Sequence, residues 1–235
     1  ELTGDTSDQY AVRVGGGSPG TDVTNNLFTD IVSKDGTEGD NVNGIVVTDP
    51  RDTRVANNNF SNIDTAVNIG DKSPEAGTLI VENNEFSDIT QFGAVALVNS
   101  DTGLDADINS NTIESSRIGI GVFVGSSDAT FSIQNNDFQN FADDDVFVDD
   151  RADVLTLSDV ETNNTFDRVV TIEDDAGNIT GDSIFSAIQP AINNAEPGQV
   201  VEADPGTYDE SVDISTKNVT LLGPNGGTPG DASRG

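Results

Sequence analysis

The chain has 235 residues, 42 of them acidic against 10 basic, for a formal charge of −32, and it contains no Cys, His, Met or Trp. Uncompensated carboxylates in that number exclude nucleic acid and anionic membrane surfaces as partners, because both attract basic patches. The missing Cys excludes disulfides and thiolate chemistry, and no stretch approaches the roughly 20 apolar residues of a membrane span.

Along the chain, short apolar runs alternate with an Asn-rich motif. AVRV (11–14) precedes VTNNLF from Val23, GIVV (44–47) precedes VANNNF from Val55, and AVNI (66–69) precedes VENNEF from Val81. AVALV (94–98), INSNTI from Ile108, GIGVFV (119–124), IQNNDF from Ile133 and DVFV (145–148) continue the series. VETNNTF from Val160 ends it with one residue inserted. The second Asn of each motif (Asn26, Asn58, Asn84, Asn111, Asn136, Asn164) follows its predecessor by 32, 26, 27, 25 and 28 residues. A self-similar period between 20 and 50 residues marks a solenoid. The intervening runs alternate and are bounded by Gly, Asp, Asn or Ser, which reads as short strands. A repeat of about 25 residues with two or three such strands and no helical period predicts one coil of a parallel β-helix, paired with the coils above and below.

Asn has a physical task in such a coil. It tolerates the left-handed backbone of a sharp turn better than any residue but Gly, and stacked Asn side chains can hydrogen-bond along the solenoid axis. Two residues further on, Phe28, Phe60, Phe86, Ile113, Phe138 and Phe166 are expected to point inward and stack.

With this NN-x-Φ and GI-x-V texture, residues 11 to about 172 resemble the right-handed parallel β-helix proteins of the pectate-lyase-like superfamily. The resemblance implies an all-β fold, a right-handed parallel β-helix of about six to seven coils over residues 1–172. It implies no particular chemistry, since the superfamily includes lyases, hydrolases, esterases, adhesins and inert stalks.

The dense acidic cluster is DDDVFVDDR, with Asp143, Asp144, Asp145, Asp149, Asp150 and Arg151. The superfamily resemblance implies clustered carboxylates holding Ca²⁺ with an Arg or Lys base in lyases, and two or three close Asp in hydrolases. On an alternating strand Val146 and Val148 face the core while Asp145, Phe147 and Asp149 face solvent. Asp145 and Asp149 are then about 13 Å apart at about 3.3 Å per residue, beyond the roughly 5 to 9.5 Å of a glycosidase pair. Arg117 lies one coil earlier, but the outward stripe of the same strands (Arg13, Val46, Asn68, Ala96, Gly121, Phe147) lacks a charged constellation. No catalytic residue and no cofactor is assigned. Solvated acidic surface is the expectation for the cluster, with a Ca²⁺ site at Asp143, Asp145, Asp149 and Asp150 as the alternative.

After residue 172 the character changes. EDDAGNITGD (173–182) reads as a linker, and SIFSAIQPAINNA (183–195) as a helix with Ile184, Ile188 and Ile192 at helical spacing, Ser183 as cap and Pro190 as an interruption. PGQVVEADPGTY, ESVDI and NVTLLGPNGG then alternate as strands. Residues 183–227 resemble the amino-terminal opening of pectin methylesterases, in which a helix caps the first coil. The block at 183–235 is thus the start of a following β-helix, a docking segment for another copy, or a cap packed on its own solenoid. None of the catalytic residues of that family carries over.

Four N-x-S/T sequons, at Asn59, Asn163, Asn178 and Asn218, favour an extracellular glycosylated surface. At about 0.15 M salt the Debye length is about 8 Å, shrinking to about 3 Å at about 1 M, so a folded chain this charged is best suited to molar salt and an extreme halophile. With 34% hydrophobic residues set in repeats, disorder is not the reading of the charge. The functional expectation is a structural or adhesive module of a cell surface, with other copies, tandem modules or surface glycans as partners. A polysaccharide-binding or polysaccharide-degrading protein is the alternative.

Overall fold

The computed structural model describes residues 9–15, 19–33, 42–48, 51–70, 77–98, 104–124, 129–140, 144–150, 155–174, 176–215 and 217–224. Its strands are β1 (Gln9–Val14), β2 (Asp22–Thr24), β3 (Leu27–Ile31), β4 (Val42–Val47), β5 (Thr53–Ala56), β6 (Asn59–Gly70), β7 (Gly77–Glu82), β8 (Glu85–Val98), β9 (Leu104–Asn109), β10 (Thr112–Glu114), β11 (Ile118–Val124), β12 (Thr130–Gln134), β13 (Asp137–Gln139) and β14 (Asp144–Asp150). Helix α1 (Leu157–Asn163), β15 (Thr165–Phe166), β16 (Val170–Glu173), β17 (Ser183–Ile184), helix α2 (Ile188–Asn194), β18 (Val200–Ala203) and β19 (Thr220–Leu222) complete the order.

The strands stack on three faces of a parallel solenoid. The first face carries β2, β5, β7, β9 and β12. The second carries β3, the opening halves of β6 and β8, then β10, β13 and β15. The third carries β1, β4, the closing halves of β6 and β8, then β11 and β14. Every pairing among these strands is parallel, as in a coil that returns to the same face once per turn. From β2 to β12 the chain makes four full turns, fewer than the six to seven coils expected from the sequence.

The Asn pair divides two tasks that the sequence reading assigned to one residue. The first member carries the turn: Asn25, Asn57, Asn83, Ser110 and Asn135 have φ between 54 and 61°. The second member carries the ladder. Asn58 Nδ2 and the Asn58 backbone N–H both donate to Asn84 Oδ1 at 3.0 and 2.9 Å, and the pattern repeats from Asn84 to Asn111, Asn111 to Asn136 and Asn136 to Asn164. Each Nδ2 also reaches back to a carbonyl of an earlier rung, such as Val23 O from Asn58 and Val55 O from Asn84. Asn58, Asn84, Asn111 and Asn136 are buried with their polar atoms satisfied.

A second left-handed corner lies five residues beyond each first one, at Asp30, Asn62, Asp88, Ser115 and Asn140. There Asp64, buried at 3% exposure, accepts from Ser33 N–H and Thr90 Oγ1, which ties three rungs together. Inside, the rings of Phe28, Phe60 and Phe86 stack at 4.8 and 4.9 Å, and those of Phe138 and Phe166 at 4.8 Å. Ile113 pairs in register with Phe86 and with Phe138 and separates the two runs.

The carboxyl end departs from the repeat. The residue inserted in VETNNTF accompanies a helix, α1, which stands where a first-face strand would lie: Asn135 N–H donates to Asn163 O as Asn83 N–H donates to Asn109 O. Thr156 caps α1 and accepts from Asp159 N–H. The ladder ends on this helix, because Asn164 Nδ2 donates to Val160 O and Ile133 O.

Beyond it, β17 pairs antiparallel along β14, with Val146 opposite Ile184 and Phe147 opposite Ser183. β16 crosses the expected boundary at residue 172 and pairs antiparallel with β18, and β18 pairs parallel with β19 twenty residues later, Val200 opposite Thr220. Val170, Ile172, Phe185, Ala191, Ile192 and Val201 form a second, smaller core there. The helix expected over 183–195 is shorter. Ser183 and Ile184 are strand, Ser183 caps nothing, and α2 begins at Ile188. Pro190 sits in the first turn, where no intrahelical N–H is required, so it does not interrupt the helix. The cap comes from far away: both carboxylate oxygens of Glu210 accept, from Ile188 N–H and Gln189 N–H at 2.7 and 2.9 Å. ESVDI does not form a strand.

Candidate interaction surface

The outward stripe read from strand alternation is realised rung by rung. Arg13 is opposite Val46, Val46 opposite Asn68, Asn68 opposite Ala96, Ala96 opposite Gly121 and Gly121 opposite Phe147. Inward neighbours on the same strands, among them Ile45, Val67, Val95, Ile120 and Val146, are fully buried. The stripe therefore follows the outward positions of the third face, parallel to the solenoid axis, but only Arg13 is exposed: Val46, Asn68 and Phe147 are half-buried, and Ala96 and Gly121 between them are buried.

Its amino-terminal half is Arg13, Val46 and Asn68, and its carboxyl-terminal half Ala96, Gly121 and Phe147. Asn68 Nδ2 donates to Asn43 Oδ1 at 3.0 Å, which ties the stripe to a buried amide of the preceding rung. Further on, the rings of Phe123 and Phe147 lie 5.2 Å apart, tilted by 47°. Phe92 is 41% exposed and Val98 44% exposed on the adjoining rung. Gly121 makes this arrangement possible: a Cβ there would come within 2.8 Å of the Phe123 ring, so any side chain would lift the ring off the sheet. Phe123 and Phe147 are half-buried, so the exposed apolar surface at this end comes mainly from Phe92 and Val98.

The expected acidic site is arranged otherwise. Asp145 is fully buried rather than solvent-facing, because β14 is not an open last strand: β17 pairs along it and Val148 N–H donates to Asp182 O at 2.7 Å. Val146 and Val148 face the core as expected. Asp143 lies outside the described residues, as do the side chains of Asp149 and Asp150 on β14. Arg117 precedes β11, whose Ile118 is opposite Asp144. Among the described residues no group of three or more Asp or Glu is arranged to hold a metal ion.

Carboxylates do gather where α1, β16 and β18 meet, which sequence reading missed because they are far apart in the chain. Burial, then the charges of Asp204 and Glu173, push the Glu161 carboxyl above its ordinary range. Burial, the charge of Glu173 and a hydrogen bond to it do the same to Glu202. Glu173 in turn accepts from Thr171 Oγ1 at 2.9 Å. Close by, burial raises the Tyr208 phenol, whose hydroxyl donates to Val169 O and Asp204 O. A crevice of about 270 Å³ between α1 and β12 is lined by Phe131, Ile133, Leu155, Thr156, Asp159 and Val160.

The four sequon asparagines are all exposed, but their amides differ. Asn59 Nδ2 donates to Glu85 Oε2, Asn163 Nδ2 to Asp159 O within α1, and Asn178 Nδ2 to both oxygens of Asp174. Asn218 Nδ2 makes no hydrogen bond among the described residues.

Over residues 43–199 the chain matches the family model described as right handed beta helix region. No curated protein and no solved structure gives a match.

Proposed function

The chain belongs to the right-handed β-helix family, and from that premise we propose that it is an extracellular, salt-adapted structural and adhesive module, a stiff rod that makes contact through the outer surface of its third face. The observation that carries this reading is the stripe from Arg13 to Phe147, which stays in register over six rungs and reaches the Phe123 and Phe147 ring pair, with Phe92 and Val98 exposed on the adjoining rung. Stacked coils give stiffness, because each rung is held to the next by ladder hydrogen bonds and core contacts. The acidic shell keeps the rod hydrated and apart from its neighbours in concentrated salt.

Surface glycans suit the Phe123 and Phe147 ring pair, since the apolar face of a sugar ring packs on an aromatic face. Other copies of the chain are the second partner class. The β18–β19 pair has the parallel register of one further coil, and β19 pairs only with β18 among the described residues, so the unglycosylated chain offers an edge for head-to-tail growth.

The test is a binding series against neutral and acidic polysaccharides in molar salt, with Phe123→Ala and Phe147→Ala. Retention of neutral glycans, lost in both variants while the fold persists, supports adhesion. New reducing or unsaturated ends after incubation would replace it with a polysaccharide-degrading function.

A further inference from the structure

We propose that Asn218 is the acceptor of an N-linked glycan, and that this glycan shields the open edge of β19. The inference rests on the extracellular reading above. It selects one of four sequons by geometry rather than by motif.

Transfer of a sugar to asparagine needs an accessible amide nitrogen and a hydroxyl two residues on that can meet the transferase. In three sequons the fold occupies at least one of these groups. At Asn59 the amide is bonded to Glu85 and the Ser61 hydroxyl to Thr29. At Asn163 the amide is bonded inside α1. At Asn178 the amide is held by Asp174, and the Thr180 hydroxyl bonds Ile172 O and accepts from Gln199 Nε2. At Asn218 neither the amide nor the Thr220 hydroxyl makes a hydrogen bond among the described residues, and both side chains are exposed.

The backbone around that sequon is nonetheless held in place. Gly198 N–H donates to Asn218 O at 2.6 Å, and Thr220 N–H donates to Gln199 O at 3.0 Å. Thr220 begins β19, whose far edge has no partner among the described residues and whose Leu221 is 38% exposed. An unpaired parallel edge with an apolar side chain invites pairing with another chain. A bulky hydrophilic group two residues before it would obstruct that approach.

The chemistry is a group transfer without redox change. Asn218 Nδ2 attacks C1 of an oligosaccharide carried on a lipid phosphate. The Nδ2–C1 bond forms as the C1–O bond breaks, the lipid phosphate leaves with the electron pair, and the amide proton passes to a carboxylate of the transferase.

The experiment offers the folded chain, in parallel with urea-denatured chain, to a purified oligosaccharyltransferase and its lipid-linked donor, and maps each sequon by glycopeptide mass spectrometry. In the folded chain, occupancy at Asn218 should exceed that at Asn59, Asn163 and Asn178 at least tenfold, whereas the denatured chain should lose this preference. Asn218→Gln and Thr220→Ala should abolish it, and Thr220→Ser should keep it. Modification of another sequon in preference to Asn218, equal modification of all, or none in the folded chain while the denatured chain reacts, overturns the assignment. That result is independent of where the protein resides, which fractionation of the source cells reads separately. For the shielding role, native mass across a dilution series should show association of the bare chain and none of the glycosylated one; equal association of both sinks that part.

Discussion

Asn111 Oδ1 accepts two hydrogen bonds from Asn84, one from its backbone N–H and one from Nδ2, each at 3.0 Å. Asn84 Nδ2 at the same time donates to Val55 O. The Asn84 side chain thus links three consecutive rungs, and removing the Asn111 side chain leaves the Asn84 N–H without its acceptor inside the solenoid. At about 1 to 3 kcal/mol per buried unsatisfied group, Asn111→Ala should cost about 3 kcal/mol, measured by denaturant unfolding in molar salt. Asn26→Ala, at the exposed first rung, should cost under about 1 kcal/mol.

The division of labour within each Asn pair can be tested by glycine. Asn57 has φ of 56°, and its neighbour Asn58 is a ladder residue. Asn57→Gly should therefore be nearly neutral, Asn57→Ala should lose about 1 kcal/mol, and Asn58→Gly should lose more than either. Equal losses at both positions would refute the division.

Phe60 is fully buried between the rings of Phe28 and Phe86. Phe60→Ala leaves a cavity lined by two rigid rings and should lower stability by about 3 to 5 kcal/mol. Phe123→Ala, on the outer surface, should change thermal stability little while removing glycan retention.

Acid should favour the junction of α1 with the carboxyl-terminal sheet. Glu161 and Glu202 are raised above 4.5, so the folded state holds their protons more tightly than the unfolded chain does. Their contribution is fully present below 4.5 and is lost as pH rises through the raised values. Asp174, lowered by Asn178, and Asp213, lowered by Ser215, act in the opposite sense: their contribution is present above 3.8 and lost as pH falls through the lowered values. Glu202→Gln should flatten the decline above 4.5 and raise Tm at pH 7, as scanning calorimetry at constant salt would register.

Salt should act on the whole molecule. With a formal charge of −32, Tm should rise between about 0.1 M and about 2 M KCl as the Debye length contracts from about 10 Å to below about 3 Å. A Tm indifferent to salt would contradict the halophilic reading.

The repeat was legible because its causes are local. A left-handed corner needs Asn or a near equivalent, a strand shows alternation, and a stack shows one large apolar residue per period. The six Asn positions and the outward stripe from Arg13 to Phe147 could therefore be placed by counting. The second corner at Asp30, Asn62, Asp88, Ser115 and Asn140 carries the same period, but its varied residue types hid it.

What the chain by itself determined is the solenoid: its period, its Asn ladder and its inward Phe positions, since each rung repeats one set of short-range preferences. Only the tertiary structure decided how the carboxyl end is finished. Glu210 caps α2 from beyond the helix, β17 turns back along β14 and buries Asp145, and Glu161, Glu173 and Glu202 meet from three elements. These contacts join segments that share no period. No local propensity encodes them, and they exist only once packing brings the segments together.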